Sequence, residues 1–259
     1  MGHDYSKADI VAALRKAGIK KGDSIFVHSN IGFFGRLQGA GTPSEYYGIF
    51  KEAIFEVIGN GGTLVVPTFT YSFFNKQPYD PEKTPSKMGI FCEAVRLDPQ
   101  SLRSDDPNFS VAAIGAKADL LTRNAPEHSF GSDSFWERFL AVGGKICNFN
   151  FDAASTMVHY VEKKLGVSYR YDKAFSGTII KGGKAVEKIA RHFVYDLAKP
   201  GNEAAFSKFD ALAKKSGAAK AVNLGRGSIV VISAADTERI VREGLKGNPA
   251  LLIKADKVE

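Results

Sequence analysis

The stretch Thr156-Met157-Val158-His159-Tyr160-Val161-Glu162 holds the most explicit chemistry in this sequence. A spacing of three places Thr156, His159 and Glu162 along one face of a helix. A carboxylate one turn from an imidazole orients the ring and stabilises its protonated form, which suits a general base near neutral pH. The same residues on a solvated helix would be an ordinary polar stripe. As a metal site the segment is short of ligands, and only the distant His28 or His128 could complete it.

Three further segments place polar groups where a strand is expected to end. His28-Ser29-Asn30-Ile31-Gly32 runs into a loop that also contains Gly35, Gly39 and Gly41. Successive amides around glycines can hold phosphate oxygens, although a plain surface loop would look the same. The next helix starts well after these glycines and no Gly-Lys-Ser/Thr occurs, so neither a dinucleotide fingerprint nor a Walker loop is read here. Pro67-Thr68-Phe69-Thr70 offers two hydroxyls and a ring, either to an extended ligand or to its own turn. Arg103-Ser104-Asp105-Asp106-Pro107-Asn108-Phe109-Ser110 contains Asp-Pro, an ordinary turn starter.

The pattern around these segments predicts alternating helices and strands. Ser6 caps a helix with Ile10, Val11 and Leu14 on one face, closed by Gly18. Thr42, Pro43 and Glu45 form a capping box with a helix-start proline, opening a helix that runs to about Gly59. Strands are expected at 24–28, 63–66, 109–114 and 145–150, and helices at 88–97, 134–140 and 156–165. The stretch 67–87 is aromatic and proline-rich without periodicity, and reads as a long functional loop. Beyond Tyr169 come a hairpin (178–181 and 185–195, turning at Gly182-Gly183), a helix at 203–215, a hairpin near 222–232 and a helix at 234–245. The reading is an α/β fold over 1–259 as a single domain: a central mixed sheet covered by helices, with antiparallel hairpin additions in the C-terminal half. Ligands of such sheets collect beyond the strand ends.

Composition narrows the partners. The chain has 259 residues, 44% hydrophobic and 24% charged, which is ordinary for a globular protein. No apolar run approaches a membrane span and no secretory pattern opens the chain. Cys92 and Cys147 lie in apolar stretches and read as reduced core residues of a cytoplasmic protein. Met1, Gly2 and His3 are given no role. The 35 basic and 28 acidic residues leave +7, which favours anionic small-molecule partners. With no block of five like charges, nucleic acid is not indicated, nor is a membrane.

Taken in order, these segments resemble the antibiotic N-acetyltransferase family, known best for aminoglycoside 3-N-acetyltransferases. The resemblance rests on His28-Ser29 with Gly32, on Gly62-Thr63-Leu64 through Thr70, on Arg103-Ser104 with Asp106-Pro107 and Ser110, and on Thr156-x-x-His159-x-x-Glu162. It implies acetyl-CoA as donor, no metal, and direct transfer to an amine, with His159 as base and Glu162 orienting it. It further implies a coenzyme site lined by His28, Ser29, Gly32, Pro67, Thr68, Phe69, Thr70, Arg103, Ser104 and Ser110. Thr68 or a nearby amide is the candidate donor to the thioester oxyanion. Asp106 stands where many family members have His or Asn, which leaves its catalytic role open. The segments 169–173 and 175–177 resemble members of lipopolysaccharide O-antigen synthesis that acetylate nucleotide-linked amino sugars such as perosamine. The acceptor expected is therefore a nucleotide sugar held by Tyr71, Lys76, Arg170 and Lys173, in a homodimer, with an aminoglycoside as the alternative. Outside transferases, the readings are a metal-dependent hydrolase or an inactive coenzyme-binding module.

Overall fold

Helix starts fall where the capping residues put them. In a computed structural model, which describes residues 2–255 and so leaves Met1 outside the described residues, Ser6 and Asp9 form a capping box on α1 (Lys7–Lys16). Thr42 and Glu45 do the same for α2 (Pro43–Ile58), which ends at Gly59 with φ 63°. The remaining helices are α3 (Ile90–Leu97), α4 (Ala118–Thr122), α5 (Phe135–Ala141), α6 (Met157–Leu165), α7 (Ser207–Lys215) and α8 (Ala234–Gly247).

The strands are β1 (Ser24–Ser29), β2 (Thr63–Pro67), β3 (Leu102–Arg103), β4 (Val111–Gly115), β5 (Lys145–Phe149), β6 (Arg170–Lys181), β7 (Lys184–Tyr195), β8 (Lys220–Leu224) and β9 (Gly227–Ser233). Seven form one mixed sheet in the order β3-β4-β2-β1-β5-β9-β8, and β6-β7 is a separate antiparallel pair. β1 runs parallel to β2 and β5, while β4 and β9 are antiparallel to β2 and β5. Period-two alternation divides the core. Ile25, Val27, Cys147 and Phe149 face α1, α2 and α3. Phe26, Ile146, Val230 and Ile232 face the side covered by α5, α6 and α8. Both cysteines are free and buried.

This topology gathers the candidate segments. The ends of β1, β2 and β5 and the starts of β4 and β9 share one sheet edge, because Pro67 is level with Val111 and Phe149 with Ile229. Residues 28–32, 67–70, 103–110 and 150–156 all leave from that edge.

Three features differ from the sequence expectation. The first hairpin strand begins at Arg170 rather than 178, pairing over its whole length with β7. β3 and α4 were not expected; at two and five residues, neither carries a readable period. The stretch 67–87 is packed rather than loose: Phe69, Phe73 and Tyr79 are buried, and Tyr79 bridges to Ile179 of the hairpin. Gly177 makes room for this contact, since a Cβ there would come within 2.7 Å of the Phe73 ring.

Candidate active site

α6 ends at Gly166 in the left-handed region, φ 64°, where a Cβ would be strained. The reversal carries the chain back along the helix, so that Tyr169 and Arg170 meet Glu162 from behind. The Tyr169 hydroxyl donates to Glu162 Oε1 at 2.8 Å. Arg170 Nη2 lies 3.0 Å from Glu162 Oε2, and His159 Nδ1 lies 2.8 Å from the same oxygen. Glu162 is completely buried and the Arg170 side chain is 2% exposed. A buried carboxylate is costly unless charge and hydrogen bonds surround it, and here both do. Arg170 Nη1 donates to the Phe193 carbonyl at 2.6 Å, and the guanidinium lies 3.5 Å from the centre of the Tyr195 ring.

A donor and an acceptor both meet His159 at Nδ1. Nδ1 has two neighbours, the Glu162 oxygen and Arg170 Nη2 at 2.7 Å. Arginine only donates and carboxylate only accepts. In the tautomer that donates Nδ1–H to Oε2, the Nε2 lone pair is left free as a base. Nε2 makes no hydrogen bond among the described residues, and the side chain is 17% exposed. Phe130, Tyr195 and Phe206 rings surround the imidazole at centroid distances of 5.7, 5.9 and 5.8 Å. Burial, aided by the charge of Arg170, holds the His159 pKa below its usual 6.5, with Glu162 opposing. At neutral pH the ring is a free base. Thr156 stands at the start of α6 without a capping hydrogen bond.

The hydroxyls at the β2–β4 junction turn inward. Thr68 is 0% exposed; its Oγ1 donates to Ser110 Oγ and accepts from Arg103 Nε, each at 3.1 Å. Its hydroxyl proton is thus already committed within the protein. Ser110 donates to the Thr68 carbonyl, Thr70 to the Pro107 carbonyl, and Ser104 Oγ accepts from the Val111 amide. These groups bind their own turns, and Phe69 is buried beside Tyr71 and Phe109. Arg103 also bonds the carbonyls of Pro81, Thr84 and Thr68, so its guanidinium is a staple for the 79–84 loop rather than an open anion site. Asp106 is 8% exposed; Oδ1 accepts the amides of Asn108 and Phe109, and Oδ2 accepts the Ser129 hydroxyl. A carboxylate so committed shapes its turn and does not reach His159 through any of these bonds.

The glycine loop is likewise occupied by its own chain. Gly35, at φ 89°, closes over Asp4, whose Oδ2 accepts the Arg36 amide at 2.7 Å. Glu45 accepts the amides of Gly41 and Thr42. Carboxylates of the protein thus fill the turns expected to receive phosphate. Gly32 has open space where a side chain would be. His28 and Ser29 are half-buried at the end of β1, with Ser29 Oγ 3.6 Å from Cys92 Sγ. Pro67 ends β2, buried. Of the residues expected to bind the acceptor, Tyr71 is half-buried in the aromatic layer, while Lys76 and Lys173 are exposed. Arg170 is instead sealed behind Glu162. Among the described residues no three His, Cys, Asp or Glu side chains gather as a metal site, and no helix is long and apolar enough to cross a membrane.

Two cavities flank this edge. One of about 610 Å³ is lined by Asp152, Asp210, Ser207, Lys214 and Phe206, the last also touching His159. The other, of about 690 Å³, opens between the start of α2 and the length of α3 and is lined by Pro43, Ser44, Lys87, Ile90, Glu93, Leu97 and Asp98. Asp152 and Asp210 were not singled out from sequence; both are lone aspartates without a motif around them.

The mixed α/β sheet thus carries, beyond its strand ends, an imidazole held by a buried carboxylate. The chain belongs to the aminoglycoside 3-N-acetyltransferase family, whose model matches residues 26–246. It is 29% identical over 170 residues to aminoglycoside N(3)-acetyltransferase VII of Streptomyces paromomycinus, an alignment covering 58% of this chain and 57% of that protein. It is 22% identical over 224 residues to aminoglycoside N(3)-acetyltransferase III of Pseudomonas aeruginosa, covering 79% and 80%. Its fold superposes on a structure of AAC-IIIb with CoASH with a TM-score of 0.80 at 21% identity, covering 93% of this chain and 96% of that one. With AAC-VIa bound to sisomicin the TM-score is 0.78 at 24% identity, covering 94% and 98%.

Proposed function

We propose that this protein transfers the acetyl group of acetyl-CoA to an amine of a polycationic amino sugar of the aminoglycoside type. The observation that carries this is the free-base His159, oriented by the buried Glu162–Arg170 pair at the ligand edge of a sheet belonging to this family. The acceptor reacts as its free amine. Its nitrogen bonds to the acetyl carbon and sheds a proton to His159 Nε2. The carbon–sulfur bond breaks, and the proton passes from His159 to the departing thiolate. Proton transfer of this kind contributes ~10²–10⁴-fold, and holding amine and thioester together contributes further.

The groove between the start of α2 and the length of α3 is the candidate site for the donor. α3 has no side-chain cap at its N-terminus, Lys87 lines the groove, and Ile90 and Leu97 give it apolar walls. Amides and a positive helix end suit phosphates, and the walls suit a nucleobase.

The cavity with Asp152 and Asp210 favours a cationic acceptor over a nucleotide-linked one. Burial and the charge of Asp152 hold the Asp210 carboxyl above its usual range, against the bond from the Ala154 amide. An ammonium there would relieve that penalty, whereas a diphosphate would add to it. The relatives described above are named for aminoglycosides, and nothing in them supports the nucleotide-sugar expectation. Coenzyme A release should be measured over aminoglycosides, simple amino sugars and nucleotide-linked amino sugars. The largest kcat/KM is expected for a polycation; a nucleotide-linked sugar outrunning every polycation would overturn the acceptor assignment.

A further inference from the structure

The far end of the sheet, where β1 and β2 begin, carries a second concave surface. Ser24 is level with Thr63, so the loops entering the two strands lie side by side. The Gly22 amide donates to the Ile58 carbonyl at 2.8 Å, and the Thr63 amide to the Asp23 carbonyl at 3.0 Å. A hollow of about 700 Å³ lies against these loops, with Arg15, Lys20, Lys21, Glu56, Asn60 and Gly61 in its walls. Lys20 and Lys21 have no ion pair among the described residues, and Arg15 reaches Glu56 only at 3.9 Å. Gly59, at φ 63°, lets the Lys21 stem lie across the turn, since a Cβ there would come within 3.3 Å of Lys21 Cγ.

Basic residues also complement the negative C-terminal ends of helices, and both α1 and α2 end here. The magnitudes leave charge over. Two helix ends carry roughly one negative charge together, and Glu56, which also lies 3.6 Å from Lys7, adds one more. The three cations in the walls outweigh them, and Lys220 stands nearby, its Nζ 3.8 Å from the Cβ position of Gly18. The end carbonyls of Ala13, Leu14, Arg15, Phe55 and Ile58 already accept backbone amides. The amides of Asn60 and Gly61, by contrast, make no hydrogen bond among the described residues. Bonded carbonyls, two successive unpaired amides and an excess of positive charge suit an oxyanion.

We propose that this hollow binds a phosphate-bearing small molecule. The phosphate oxygens accept from the Asn60 and Gly61 amides and pair with Lys20 and Lys21, while the body extends over Ile19 and Val57 toward Arg15. A phosphomonoester brings a charge of about −1.5 to −2 near neutral pH, which this excess of cations matches better than a single carboxylate would. The site lies at the opposite ends of β1 and β2 from residues 28–32 and 67–70, and it does not rest on the acetyl-transfer reading.

Titration calorimetry with inorganic phosphate, pyrophosphate and glucose 6-phosphate tests this, with coenzyme A in excess to fill the donor site. Glucose 6-phosphate is expected to bind and glucose is not, with an affinity that falls as salt is raised. Lys20→Ala/Lys21→Ala should weaken binding on the order of tenfold, the worth of a charge-assisted hydrogen bond. Gly61→Glu sets a carboxylate in the hollow where the added Cβ meets nothing nearer than Gly22 Cα at 4.0 Å, and should abolish binding. Lys184→Ala/Lys199→Ala, on exposed lysines outside the hollow, should bind as the parent does. Failure of all three phosphates to bind at millimolar concentration would overturn the proposal. So would parental affinity in both hollow variants, or an equal loss in the control pair.

Discussion

Replacing Arg170 with leucine separates the electrostatic role of this residue from mere packing. The side chain is 2% exposed and pairs at 3.0 Å with a carboxylate that is 0% exposed. Removing one partner of such a pair strands the other charge, at a cost of about 3–5 kcal/mol. For a chain of this size each kcal/mol lowers Tm by roughly 2–4 °C, so a fall of roughly 6–20 °C is expected. Activity should change in a way that packing alone would not produce. Burial and then the Arg170 charge lower the His159 pKa, while Glu162 raises it. Without the arginine the raising influence stays and a lowering one is gone. His159 then protonates at higher pH, and the acid limb of the kcat/KM profile moves toward neutrality, with activity recovering in alkaline buffer. Arg170→Lys keeps the charge and should keep the acid limb near that of the parent. Calorimetry and a pH–rate profile measure both effects. An Arg170→Leu protein that is folded and has the parental acid limb would refute this account of the base.

Four further outcomes follow from the geometry. His159→Ala should lose on the order of 10²–10⁴ in turnover while still binding coenzyme A by calorimetry, and Glu162→Gln should lose less because the imidazole remains. Arg103→Ala should lower Tm in thermal unfolding, because three bonds to backbone carbonyls and one to the Thr68 hydroxyl tie the 68–84 region together. Asp210→Asn keeps an acceptor for the Ala154 amide but loses the charge; initial-rate kinetics should show a raised KM for polyamine acceptors and an unchanged KM for acetyl-CoA. His28 and His192 both have pKa values lowered by burial from 6.5 to about 4. Their contribution to stability is therefore complete above pH 6.5 and is lost as pH falls toward 4. Each steepens acid destabilisation by about 1.4 kcal/mol per pH unit in that window, and His192→Leu should flatten the denaturation-midpoint profile by its share.

Local rules made much of the fold legible. Capping boxes at Ser6 and Thr42, the Gly182-Gly183 turn and the buried-strand runs put elements close to their observed places, because each is decided within a few residues. His159 and Glu162 were readable for the same reason: helical spacing alone puts them side by side. Arg170 was misread because its partner lies across a chain reversal, and a sequence offers no sign that an arginine in a mixed aromatic-charged segment will turn inward. The hydroxyls of Thr68, Thr70 and Ser110 failed in the opposite direction, since a strand end that can face a ligand can equally bond its own neighbouring turn. The net charge of +7 says least about the acceptor: it sums the whole surface, whereas a ligand senses only the few groups around it, and the cavity beside Phe206 includes Asp152 and Asp210 as well as Lys214.

The hairpin of β6 and β7 has unequal ends. Its root holds Arg170, stacked on Tyr195, whose charge helps to lower the His159 pKa, whereas its tip at Gly182 and Gly183 is exposed and has nothing within 4 Å of either glycine's side-chain position. Both tip glycines have positive φ and simply close the ribbon. A peptide tag or fluorophore site inserted between them would therefore sit a full twelve-residue strand away from the root. The tip offers a place to attach a reporter or tether the enzyme to a surface, with the base left in its native setting.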